Sequence, residues 1–450
     1  MFELLKKLFM GIVKILYSEI EKAILNFKNR KLIKCVKKAK LSWVEFLLEK
    51  GADINCKDSR GRTLVQIVVD DLEPKKNETE QELLRRKKDM MDFLINKGAN
   101  IDFLGYENKT PLQYACKKGK LGFVNSLVLL GANINVRNNN GETALFEACN
   151  YNCFSMVELL LKNNANPNIP NNYGEYPLHV AIMHDDVQII NLLIANNACV
   201  NLSDNLKNTP LHLACKEGNL NIVEILIKKG ANINSVDIFG KTPLHYVCEK
   251  GFYSIFPLLV SNGANIECLS NDNWAPIHYV CANNHITMLD FLLSMNININ
   301  LKTSDSYTPL RIAVENGYNE IIKRLLNHDV DINARYAKGW QVIHYAVEKN
   351  YINTVSLLSK YGAKLDEKTW DNFTPCKIAK HGHYDEMLDF LEAKLANKKD
   401  SNTSVILHSI NLFNYGISKF FVSPKVNDKP QQLPPRKKIT RLIGFEIMEP

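Results

Sequence analysis

The chain carries no CxxC pair, and its 11 cysteines are odd in number. Neither a zinc ribbon nor a fully paired disulfide framework is expected, and free thiols of this kind fit a reducing compartment. No run of about 18 uncharged apolar residues occurs, so no membrane span is expected. The stretch Leu8 to Leu16 is broken by Lys14 and has no small-residue cleavage site after it, and Phe2 excludes N-myristoylation. A phosphate-binding GxxxxGK loop, an HExxH, a GxSxG and a kinase signature set are all missing, which removes the commonest catalytic frameworks. The body of the chain also lacks net positive charge. Of the formal +8, Met1 to Lys50 holds 12 Lys and Arg against 5 acids and Ser401 to Pro450 holds 7 against 3, leaving the middle at about −3. A nucleic-acid groove along the body would need a basic stripe that is not there, so no nucleic-acid partner is expected.

What the sequence does have is a period. With 46% hydrophobic residues there is ample material for a core, and that material recurs every 33 residues. The slot of Thr110 returns as Thr143, Tyr176, Thr209, Thr242, Ala275, Thr308, Gln341 and Thr374. Thr63 precedes Thr110 by 47, which is one period plus a 14-residue insertion. Stepping back once more reaches Arg30, so about eleven units span 30–397. The clearest unit, TPLHLACKEGNLNIVEILIKKGANIN from Thr209 to Asn234, reads as two short helices and a turn. Thr209 caps the first helix, with Pro210 at its first position. Leu211 and Ala214 face inward, Val223, Leu226 and Ile227 recur in the second helix at the i, i+3, i+4 spacing of a buried face, and Gly230 ends it. Two residues before the Thr slot stand Gly61, Asn108, Gly141, Gly174, Gly240, Asn273, Gly339 and Asn372, types that tolerate positive φ.

The period and the TPLHxA core resemble the ankyrin-repeat family over most of the chain. The resemblance implies an all-α solenoid of stacked helix pairs with hairpin-like fingers, and binding of proteins through finger tips and the concave helix face. Tyr176, Ala275 and Gln341 depart from Thr, Ala144 and Val342 from Pro, and Arg311 and Lys377 from His, which bears on local capping and not on the fold. His179, His212, His245, His278 and His344 share one slot, as do Cys116, Cys149, Cys215, Cys248 and Cys281. Ligands 33 residues apart fall in successive layers and cannot surround one metal, so no metal, cofactor or catalytic residue is expected.

Residues 1–29 form an amphipathic basic helix, with Phe2, Leu5, Phe9, Ile12, Val13, Leu16, Ile20, Ile24 and Phe27 as its apolar stripe. Two readings stand side by side: a cap folded over the first unit, and a helix lying on a membrane surface or partner. The charged insertion, about 72–88, lengthens the second helix of its unit. At 398–450 come a polar linker, an apolar helix from Val405 and a basic, Pro-containing tail. An array followed by such a helix and an LPP turn at Leu433 and Pro434 also resembles ubiquitin-ligase adaptors ending in a SOCS box or F-box, though Val405 to Ser409 departs from that pattern.

The residue before each Thr slot supplies the candidate binding surface. It runs Arg62, Lys109, Glu142, Glu175, Asn208, Lys241 and then Trp274, Tyr307, Trp340, Phe373, so a charged row becomes an aromatic one. Tyr336 and Trp370 are expected to widen it. The expected function is a non-enzymatic, monomeric, cytoplasmic interaction scaffold for a protein partner, with nuclear or host-cell delivery left open and the ubiquitin-ligase adaptor as the alternative.

Overall fold

The computed structural model describes residues 2–396. The linker, apolar helix and tail, and with them the SOCS-box-like or F-box-like segment, lie outside the described residues. The helices alternate between an inner and an outer layer. In the unit from Thr209, the inner helix is Pro210–Glu217 and the outer one Leu220–Lys228. Leu211, Ala214, Val223 and Leu226 are fully buried, so each helix gives one face to the core and the next pair covers what remains. Gly218, at φ 78°, breaks the first helix, and Asn219 restarts the second by accepting the Ile222 N–H at 3.0 Å. Inner helices of adjacent units pack more closely than outer ones, which bends the stack toward its inner side.

All ten residues two before the Thr slot have positive φ, including Lys207 at 59° and Ser306 at 62°, where the sequence shows no Gly or Asn. At Gly141 no other residue fits: a Cβ there would lie 2.8 Å from the backbone nitrogen of Asn172 in the next finger. A polar ladder joins the fingers along the stack. Asn201 Oδ1 accepts the Asn232 N–H at 2.8 Å, Asn234 Oδ1 the Asn265 N–H at 2.9 Å, Glu267 Oε1 the Asn298 N–H at 2.7 Å and Asn300 Oδ1 the Asp331 N–H at 3.0 Å.

The first two units are atypical. Helix α1, Phe2–Lys37, is one continuous element of 36 residues, whose end pairs with α2, Leu41–Glu49, as the first repeat pair. The cap expected over 1–29 is therefore corrected. From Leu8 to Phe27 the large apolar side chains stand in solvent (Phe9 is 66% exposed), and none folds back on the array. Leu32 and Val36 are the α1 residues that enter the core. Residues 18 apart lie five turns apart and share a face, so the inward face continues upstream as Lys14 and Ser18 while Phe9, Leu16 and Phe27 point the other way. In the next unit α3, Leu64–Asp70, is followed by α4, Glu80–Asn96, whose 17 residues exceed the 9 of an ordinary outer helix such as Leu121–Leu129. The insertion lengthens that helix, and Thr79 and Glu82 cap its new start reciprocally.

Candidate protein-binding face

The residue before the Thr slot is held by a tight loop. Ser270 accepts the Trp274 N–H on its Oγ at 3.1 Å and donates its own N–H to the Trp274 carbonyl at 2.9 Å. Thr303 does the same for Tyr307, and Thr369 for Phe373. The previous unit adds a clamp: His245 Nδ1 accepts the Thr242 N–H at 2.9 Å, and its Nε2–H donates to the Trp274 carbonyl at 3.0 Å. Both ring nitrogens are thus committed to backbone, which fixes the neutral tautomer. Burial lowers the pKa of this histidine to about 4. His179 and His212 repeat the arrangement on the Asn208 and Lys241 carbonyls, whereas His278 and His344 donate from Nε2 to the Leu301 and Glu367 carbonyls, earlier in the next finger; burial lowers the pKa of all four.

On this frame the aromatic row makes two open hollows. In the first, Trp274 leans on Tyr279 with ring centroids 4.9 Å apart, beside Phe239, Lys241, Tyr246, Ser270 and Asp272, around about 350 Å³. Burial pulls the Lys241 ammonium down, but Glu249 at 2.7 Å holds it above its ordinary value, and it sits 4.7 Å from the Tyr279 ring. In the second, Trp340 leans on Tyr345, again at 4.9 Å, and the hollow of about 330 Å³ runs past Glu348, Asp371, Phe373 and His381 to Tyr384. Arg311 fills the space between the two, 3.7 Å from the Tyr307 ring, 4.4 Å from Tyr345, and paired through Nε with Glu315 at 2.8 Å.

A family model for ankyrin repeats (3 copies) matches in overlapping windows at 120–204, 163–237, 179–270, 211–303, 244–336 and 310–404. Those windows together cover well over half of the chain. The chain belongs to the ankyrin-repeat family. No curated protein matches it. Ankyrin repeats generally mediate protein–protein interaction, and the face described above is their inner, concave one.

In this ankyrin frame Tyr336 is misplaced as a surface residue. It occupies the loop-holding slot of Asp58, Asp237, Ser270 and Thr303, and is only 4% exposed, with its hydroxyl 2.7 Å from Thr308 Oγ1. Its backbone N–H closes the loop on the Trp340 carbonyl at 2.7 Å, while its side chain turns inward to Thr308. Trp370 is 71% exposed but lies at a finger tip across Gly339 and lines neither hollow. Trp274, Tyr307 and Trp340 are half-buried and Phe373 is 41% exposed, one in each of four successive units.

At the charged end of the row, Arg62 and Lys109 are spoken for inside the protein. Arg62, 2% exposed, bonds Asp58 at 2.7 Å and Asp71 at 2.6 Å, while Lys109 pairs with Glu142 and Glu147. The residues missed by sequence reasoning are Tyr246, Tyr279 and Tyr345, four after the Thr slot. Their recurrence in phase, together with Tyr114, is the signal that finds them. Among the described residues no group of three or more His, Cys, Asp or Glu is placed to hold a metal ion. The cysteine slot is buried throughout, and burial pushes those thiols far up.

Proposed function

We propose that this ankyrin array is a non-enzymatic scaffold that recruits a protein partner to the concave face between Trp274 and Phe373. One observation carries the reading. Trp274 and Trp340 each lean on a tyrosine beside an open hollow while their backbones are fixed by loop bonds. Rings pre-positioned in this way lose little freedom on binding, which is what makes aromatic anchors strong. The hollows are two layers apart, roughly 20 Å at the usual 8–10 Å between packed helices, so the partner bridges them with two apolar or aromatic side chains. Lys241 and Asp272 at one hollow, and Lys338, Glu348 and Asp371 at the other, supply polar rims. Free cysteines support a reducing compartment such as the cytoplasm. No helix among the described residues is long and apolar enough to cross a membrane.

Trp274→Ala and Trp340→Ala, made singly and together, test this. The partner captured by the intact protein is identified and its affinity for each variant measured by calorimetry, with helical content matched by circular dichroism. Each change is expected to weaken binding by tenfold or more, at about 2 kcal/mol per anchor. Unchanged affinity in the double variant would make the row a packing feature of the stack.

A further inference from the structure

The exposed length of α1 carries more exposed large apolar side chains than any other element among the described residues, and its chemistry changes along one face. Leu8, Phe9, Met10, Ile12, Ile15 and Leu16 are exposed, as are Tyr17, Ile20, Ile24 and Phe27. Since residues 18 apart share a face, Ile12 lies in line with Arg30, Val13 with Lys31 and Leu16 with Lys34. The side that turns away from the array is therefore apolar upstream and basic downstream. From Ala23 to Val44 there are seven Lys and Arg and no acid. Of these, Lys37 alone is ion-paired among the described residues, to Asp71 at 3.6 Å.

We propose that α1 anchors the array to the surface of an anionic lipid bilayer, independently of what the concave face binds. The apolar length enters the acyl boundary, and Arg30, Lys31 and Lys34 meet the headgroups. Lys14, Glu19, Glu21 and Lys22 interrupt the apolar residues, so the helix lies in the interface plane and does not cross it. Charge favours a bilayer over a second copy of this chain. Two α1 helices side by side in parallel would set two basic clusters against each other, whereas anionic headgroups neutralise them.

The test is flotation of the full-length protein with vesicles of phosphatidylcholine alone and of phosphatidylcholine with phosphatidylserine. The protein is expected to float with the phosphatidylserine vesicles, and raised ionic strength to weaken that binding. Phe9→Asp with Leu16→Asp, both at solvent-exposed positions, is expected to abolish flotation at an unchanged thermal midpoint. Arg30→Gln, Lys31→Gln and Lys34→Gln together are expected to weaken it by about fivefold for each charge. Flotation that is absent in the wild type, or indifferent to the apolar substitutions, overturns the proposal. So does an oligomer that binds no vesicle and falls apart on Phe9→Asp with Leu16→Asp, which would make α1 a self-association seam.

Discussion

A histidine that accepts a hydrogen bond on one nitrogen and donates from the other can hold its place only while neutral. That condition makes the array acid-sensitive. His245 and its four counterparts have pKa values lowered by burial from the ordinary 6.5. Below about pH 6.5 the unfolded chain takes up protons that the folded chain refuses, so stability present at neutral pH is lost as pH falls toward 4. The sequence already contains the control, because Gln66 and Gln113 fill the same slot with the same bonds: Gln66 Oε1 accepts the Thr63 N–H at 3.0 Å and Nε2–H donates to the Lys109 carbonyl at 3.0 Å. His245→Gln is expected to shrink the loss of stability between pH 7 and pH 5 by about 2 kcal/mol, read by denaturant unfolding at each pH. An unchanged pH slope would clear this residue. The shared slot was legible in the sequence because a period assigns like residues like roles. Tyr336 was misread because it was judged by its chemistry and not by its slot, where Asp58 and Thr303 stand as its equivalents. The burial of Arg62 and Lys109 was not legible, since charge alone does not reveal the acids that face them.

At the scale of elements, the insertion shows how a solenoid absorbs extra chain: the added residues extend α4 away from the fingers and receive a new cap. Thr79 Oγ1 accepts the Glu82 N–H, and Glu82 accepts the Thr79 N–H at 2.9 Å. Arg86 then ties the loop down through Glu78 at 2.6 Å and the Glu73 carbonyl at 2.8 Å. Thr79→Ala is expected to cost about 1 kcal/mol, appearing in hydrogen exchange as earlier opening of the first turns of α4 with the remaining units unaffected. Destabilisation spread over the whole array would contradict so local a role. The spacing of 47 between Thr63 and Thr110 gives the size of the surplus, which the structure divides between a longer α4 and the loop 71–79 before it. The direction of α1 was not read from its stripe, because an apolar stripe states that a helix has a face to hide without stating which way its neighbour lies. The phase between Leu32 and Lys14 supplies that information.

At the scale of the molecule, each helix pair touches only its neighbours, so stability is a sum of units and junctions, weakest where a junction is missing. Amide protection is expected to peak in inner helices such as Pro177–Met183, Pro210–Glu217 and Pro243–Lys250, and to be lowest in α2 and Pro375–His381, as measured by exchange with mass-spectrometric readout. Uniform protection would mean that the array opens as one block. The finger ladder carries a further consequence, for inheritance. Because each rung joins like positions in successive units, the loss of Ala275 to Tyr307 would set Trp274 directly before Thr308 and let Glu267 receive Asp331 in place of Asn298. His245 would still clasp the Trp274 carbonyl. The finger frame would close without a seam, the two tryptophans would stand one layer nearer, and Trp274 would meet Ile312 where Tyr279 had been. A lineage that gains or drops whole units by unequal recombination thus edits the reach of its grip in fixed increments, without having to invent a new joint.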